Sequence, residues 1–148
     1  MITQFKLILS VLVLSLLLWG CGEKPEPKAE HPSVKELQRI DHVLGEGTKT
    51  RNSMRIAVHY TGWLYDENAS DKKGKKFDSS YDRNRPFVFS LGNKDVIQGW
   101  EQGLLEMRAG GKRTLIIPPH LGYGAKGAGS SIPPNAALIF DIEVLQAG

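Results

Sequence analysis

Apolar and polar residues alternate with a period of two along three stretches of the chain. In RIAVHYTGW, residues 55–63, Ile56, Val58 and Tyr60 fall on one face and Ala57, His59 and Thr61 on the other, the pattern of a half-buried strand. ALIFDIEVL places Leu138, Phe140, Ile142 and Val144 on one side, with Asp141, Glu143 and Ile139 on the other, and KRTLIIPP behaves similarly. Shorter strands are expected at KELQRIDHV, KFDSS and FVFSL. One segment changes period: in DVIQGWEQGLLEM, Ile97, Trp100, Leu104 and Met107 recur at three- and four-residue steps, an apolar helical stripe. Asp95 is placed to cap its start, and Gly110 and Gly111 to end it. Gly99 and Gly103 weaken it, so packing rather than propensity must hold it. The pattern predicts an α+β domain, an antiparallel sheet wrapped around one short amphipathic α-helix.

The first thirty-three residues stand apart. LILSVLVLSLLLWG, residues 7–20, is an apolar run behind a single lysine, too short for a comfortable membrane span but suited to a secretory signal. It ends at Cys21, the only cysteine, and LWGC resembles the lipobox of bacterial lipoproteins, in which the signal is cut before the cysteine and the thiol is acylated. Acylation would use up a thiol that is otherwise a liability in an oxidising compartment. The next stretch, GEKPEPKAEHPS, cannot bury a core and reads as a semi-extended tether, reaching roughly 40 Å at about 3.3 Å per residue. The expected organisation is a signal over 1–20, a lipidated cysteine and tether over 21–33, and one domain over 34–148. Gly22 after the cysteine, in place of aspartate, points to the outer membrane of a bacterial envelope, with the domain facing the periplasm or the exterior.

Composition narrows the function classes. A chain of 148 residues, 41% hydrophobic and 24% charged, fits one ordinary globular domain. Loss of Lys6 with the signal takes the nineteen basic residues to eighteen against sixteen acidic ones, a formal charge of +2. These charges are scattered, which argues against nucleic acid as a partner. His31, His42 and His120 show no ligand spacing, and no metal or other cofactor is expected. Asp66, Asn68 and Ser70 resemble the alternating oxygens of a calcium loop. Asp71 and Phe77 stand where that loop needs glycine and glutamate, so YDENASDKKGKK reads as a solvated hairpin loop.

Six blocks follow one another in order: VHYTGWL, KKFDSSYDRNRPFVFSLG, VIQGWEQGLLEM, GGKRTLIIPP, GYGAKG and IPPNAALIFDIEVL. Together they resemble the FKBP-type peptidyl-prolyl cis-trans isomerases over residues 53–145, with a weaker lead-in from Val34. The resemblance implies a five- or six-stranded antiparallel sheet around a short helix, with an apolar peptide pocket between them. It implies that Tyr60, Asp78, Trp100, Tyr123 and Phe140 carry the isomerisation. Phe77, Arg83, Phe87, Val96, Ile97 and Ile132 would bind the substrate or a macrocyclic inhibitor. Trp100 would lie under the prolyl ring, while the Ile97 N–H and the Tyr123 hydroxyl, the latter on an adjustable flap, would bond carbonyls of the ligand. Ala128 and Ser131 stand where some members carry bulkier residues. The implied partners are proline-containing polypeptides of secreted or envelope proteins, and the membrane through lipid on Cys21. The alternative is a membrane-tethered chaperone or adhesion module that binds proline-containing segments with little turnover.

Taken singly, these residues have plainer readings. Trp100, Phe87 and Phe140 could be core side chains, Asp78 and Arg83 a surface ion pair, and Tyr123 a turn residue between Gly122 and Gly124. His59 lies opposite the apolar face and reads as structural or solvent-facing.

Overall fold

A computed structural model describes residues 34–148. The signal, Cys21 and the tether lie outside the described residues. β2 (Arg55–Tyr65) is the longest strand, and its alternation decides the architecture: Ile56, Val58 and Tyr60 are buried. On one side β2 pairs with β6 (Leu138–Ala147), and on the other with β3 (Lys73–Ser79) and β4 (Phe87–Ser90). Beyond β6 come β5 (Lys112–Ile117) and then β1 (Gln38–Val43) at the edge, giving the order β1-β5-β6-β2-β3 with β4 beside β2, antiparallel throughout. The inward faces of β5 and β6, including Leu115, Ile117, Leu138, Phe140, Ile142 and Val144, bury against Trp100, Leu104 and Met107. The expected five- or six-stranded sheet around one helix is six-stranded.

Three local expectations change. The helix α1 is only Gln98–Gly103, with Ile97 at its N-cap and no side-chain cap. Asp95 instead accepts the Ser90 N–H at 3.2 Å, tying the loop to the end of β4. Gly110 and Gly111 do not end the helix, which stops at Gly103, and side chains from outside it take the Gly103 carbonyl and those of the turn that follows. Thr50 donates to Leu104 (2.5 Å) and Met107 (3.1 Å), and Arg113 to Gly103 (2.6 Å) and Leu105 (3.3 Å). A cation there also suits the negative end of the helix, and Asp41 of β1 fixes it through two hydrogen bonds of 2.6 and 3.0 Å. The two glycines lie in the turn before β5, where Gly110 donates to Val144 at 2.7 Å.

β3 starts earlier than KFDSS indicates. Lys73 pairs with Tyr65, reaches Asp141 at 2.6 Å and lies 4.6 Å from the Trp63 ring centroid. The loop thus shrinks to residues 66–72, closed by Asp66 accepting the Asn68 N–H at 2.9 Å. Ile139, on the polar side of β6 by periodicity, is nevertheless buried. It lies in a groove on the sheet's outer face, lined by this loop and by β1 and β5.

Candidate functional site

A cavity of about 680 Å³ opens between the concave face of the sheet and α1. Its floor is Trp100, 4% exposed, because the short helix turns that residue toward the sheet. Four rings surround the indole: Tyr60 and Phe140 edge-on at 5.0 and 5.2 Å between centroids, Phe87 edge-on at 6.2 Å and Phe89 tilted at 5.8 Å. Edge-to-face packing of this kind fixes ring positions as well as burying area. Phe77 stands edge-on to Phe140 at 5.5 Å. Room for these two rings comes from Gly62 on β2. A Cβ there would meet Phe140 Cε1 at 2.6 Å and Phe77 Cζ at 2.7 Å.

One wall is polar and closed on itself. The Tyr60 hydroxyl donates to Asp78 Oδ2, Arg83 Nη2 donates to the Tyr60 hydroxyl at 2.8 Å, and Arg83 Nη1 donates to Asp78 Oδ1 at 2.5 Å. Burial pushes the Asp78 carboxyl up, but the Tyr60 and Arg83 hydrogen bonds outweigh it and hold the group below its ordinary value. Burial, reinforced by the hydrogen bond to Asp78, pushes the Tyr60 hydroxyl up to about 12. At neutral pH the wall therefore presents a carboxylate already neutralised by a guanidinium, and a phenol that keeps its proton.

Two groups at the mouth can address carbonyls. Ile97 lines the cavity, and its N–H donates to no other backbone group among the described residues. Tyr123 also lines the cavity, 39% exposed. Burial and then the Asp78 charge raise its hydroxyl pKa, which keeps it a donor. Its flap is more ordered than its glycines suggest. Short 3-10 turns at Pro119–Leu121 and Gly124–Lys126 flank Tyr123, Asn135 donates back to Gly124 at 2.8 Å, and Ala128 and Ile132 exchange two hydrogen bonds of 2.9 and 3.1 Å.

The cavity brings together Tyr60, Phe77, Asp78, Arg83, Phe87, Val96, Ile97, Trp100, Tyr123 and Phe140. Ile132 is not among its lining residues. It is 6% exposed and packs with the core cluster, and its backbone pairs with Ala128. Arg85 and Asp95 also line the mouth and were missed by sequence reasoning, because neither belongs to a periodic or aromatic pattern. The outer-face groove, about 660 Å³, is lined by polar and charged side chains, most of the charged ones paired with one another. Lys73 and Thr114 donate to Asp141, and His42 bonds Thr114 at 2.8 Å. His59 bonds Ser80 at 2.9 Å and stacks on Tyr81 with centroids 4.4 Å apart, a structural placement.

Comparison with known proteins gives a consistent picture. Residues 46–145 match the family model described as FKBP-type peptidyl-prolyl cis-trans isomerase. FK506-binding protein 2 of Dictyostelium discoideum is 44% identical over 137 residues, 93% of each chain. The FK506-binding protein of Neisseria meningitidis serogroup A is 49% identical over 113 residues, 76% of this chain and 93% of that one. FK506-binding protein 2B of Rhizopus delemar is 55% identical over 98 residues, 66% of this chain, which spans less than half (44%) of that longer protein. Among solved structures, AtFKBP13 superposes with a TM-score of 0.65 at 40% identity, covering 76% of this chain and 93% of that one. FkpA from Escherichia coli gives 0.65 at 40%, covering 75% and 47%.

Proposed function

The chain belongs to the FKBP-type peptidyl-prolyl cis-trans isomerases, and from that premise we propose how its pocket accelerates rotation about X-Pro bonds and where the protein works. The barrier to rotation, about 18–20 kcal/mol, comes from amide resonance. Before proline the two isomers lie within about 1 kcal/mol, yet exchange takes tens to hundreds of seconds. Rotation forms and breaks no σ bond, so the catalyst has only to bind the twisted amide better than either planar form.

The aromatic cavity suits that task. The prolyl ring packs on Trp100 between Tyr60, Phe87 and Phe140, and the apolar surround disfavours the charge-separated planar amide. The Ile97 N–H and Tyr123 hydroxyl hold substrate carbonyls, leaving the bond between them to turn. Asp78, locked by Arg83 and Tyr60, contributes a fixed dipole beside the carbonyl. Its two oxygens are already engaged, so it acts without transferring a proton. The observation that carries this reading is the ring of aromatics closed around a buried Trp100.

The protein acts at a bacterial cell envelope, held by lipid on Cys21 and a proline-rich tether, on proline-containing segments of exported proteins. The lipobox-like LWGC supports this. Among the described residues no helix is long and apolar enough to cross a membrane.

The test is cis-to-trans exchange of a Leu-Pro peptide with the full chain in mild detergent, alongside Trp100→Leu, Tyr123→Phe and Asp78→Ala. Acceleration by wild type that drops by an order of magnitude or more in Trp100→Leu, with unchanged circular dichroism, is expected. A folded wild type without acceleration would leave the tethered binding module as the better account. Labelled palmitate incorporated by wild type but not by Cys21→Ser tests the anchor.

A further inference from the structure

The charges around the pocket mouth do not cancel in place. Asp78 and Arg83 neutralise each other, but two further exposed ionic side chains line the same cavity, Arg85 and Asp95. Neither makes an ion pair among the described residues. Each is tied to the loop or strand beside it. Arg85 donates its N–H to the carbonyl of Ser80 at 3.3 Å, and the following Pro86 confines it to extended conformations. Asp95 is held by the Ser90 amide through one carboxylate oxygen, which leaves the other free.

β4 sets their separation. Asp95 is docked on Ser90, the last residue of that strand, and Arg85 stands two residues before Phe87, the first. Five steps of extended chain separate the two sites, about 16 Å before allowing for side-chain reach. An extended substrate would place residues on either side of its X-Pro bond over a similar span.

Building on the isomerase reading, we infer that the pocket mouth reads the order of charges along its substrate. Arg85 receives an acidic side chain on one flank of the X-Pro bond, and Asp95 receives a basic one on the other. Because the charges are of opposite sign and lie at opposite ends of one strand, they discriminate a sequence from its charge-reversed counterpart of equal composition. A single charged patch could not do that. Arg85 and Asp95 are specificity residues and touch no reacting atom.

The experiment uses three end-blocked peptides: Glu-Ala-Leu-Pro-Phe-Lys, Lys-Ala-Leu-Pro-Phe-Glu and Gln-Ala-Leu-Pro-Phe-Gln. The full chain is assayed for cis-to-trans exchange by NMR at low salt. Wild type should separate the two charged peptides by about two- to ten-fold in kcat/KM, the range that two exposed ion pairs allow. The gap should close at high salt. Arg85→Gln and Asp95→Asn should each narrow it, and the double exchange of Arg85→Asp with Asp95→Arg should reverse it. Equal rates for the two charged peptides with wild type would overturn the inference. So would a preference that persists in both single variants, or a total loss of turnover on the neutral peptide in both, which would place these residues in the catalytic geometry instead. A wild type that fails on the neutral peptide would count against the isomerase reading itself.

Discussion

Gly99 lies directly against Ile117: a Cβ added to this helical residue would come within 2.5, 2.7 and 2.9 Å of three atoms of the isoleucine side chain. Gly103 stands in the same relation to Leu115 of the same strand. The two glycines let α1 sit close enough to β5 for Trp100, between them, to form the pocket floor.

Gly99→Ala sets two effects against each other. Alanine gains about 1 kcal/mol in helix propensity, whereas overpacking a filled core costs typically 1–3 kcal/mol. Ile117 is fully buried and cannot swing away, so the second effect should win by about 1 kcal/mol, with Trp100 displaced and isomerase activity reduced. Urea denaturation and peptide exchange would show it. Adding Ile117→Val, which removes the methyl group whose carbon would lie 2.7 Å away, should recover part of both. Unchanged stability and activity in Gly99→Ala would show that the close approach is dispensable.

Tyr60 contributes to the alkaline limb of stability, alongside Tyr81 and Tyr123, whose hydroxyls burial also pushes up. Its hydroxyl pKa is raised from 10.0 to about 12 in the folded chain, so the folded state holds this proton more tightly than the unfolded one. The resulting stabilisation is complete below pH 10 and is lost between pH 10 and 12, of order 2 kcal/mol. Tyr60→Phe should start about 1 kcal/mol less stable at neutral pH, for want of its hydrogen bonds, and decline less steeply above pH 10. Unfolding midpoints in urea from pH 8 to 12 measure both.

Asp41 shapes the acid limb. Its hydrogen bonds to Arg113 outweigh the effect of burial and hold the carboxyl below its ordinary value of 3.8, so its contribution is present above that pH and disappears as pH falls through the folded value. Asp41→Asn should be less stable at pH 7, since it leaves the nearly buried Arg113 without its carboxylate, and should lose less further stability between pH 5 and pH 2.5. Parallel curves for variant and wild type would remove Asp41 from the acid limb.

The hairpin bearing Lys73 should be tunable without touching the pocket. Lys73→Ala removes one part-exposed ion pair and a ring contact and should cost under about 1 kcal/mol. Asp141→Ala strips the acceptor from both Lys73 and the buried Thr114 and should cost about 1–2 kcal/mol. Thermal unfolding orders the two, and neither should alter peptide exchange.

Every strand was legible from period-two alternation or short β-prone runs, most cleanly in β2, where buried and part-exposed residues alternate. Boundaries failed where a long-range partner decides them. Lys73 joins β3 through Tyr65 and Asp141, and α1 stops at Gly103, where Arg113 takes the Gly103 carbonyl and Thr50 those of Leu104 and Met107 just beyond. In the pocket, the aromatic positions stood out within ordered motifs. Arg85 and Asp95 did not, since an exposed charge leaves no pattern along the chain, and the burial of Ile132 with the core cluster is set by packing that the local sequence does not record.

By itself the sequence determined which residues could be buried, the one place where the apolar period lengthens to that of a helix, and the set of aromatics available to a pocket. These depend on local periodicity and side-chain type, both carried along the chain. Tertiary structure alone decided that Gly99 and Gly103 are points of contact rather than weaknesses, that Asp78 is locked by Tyr60 and Arg83, and that Arg85 and Asp95 line the same cavity as Trp100. Those outcomes depend on distances between residues far apart in sequence, which close packing sets and no local pattern records.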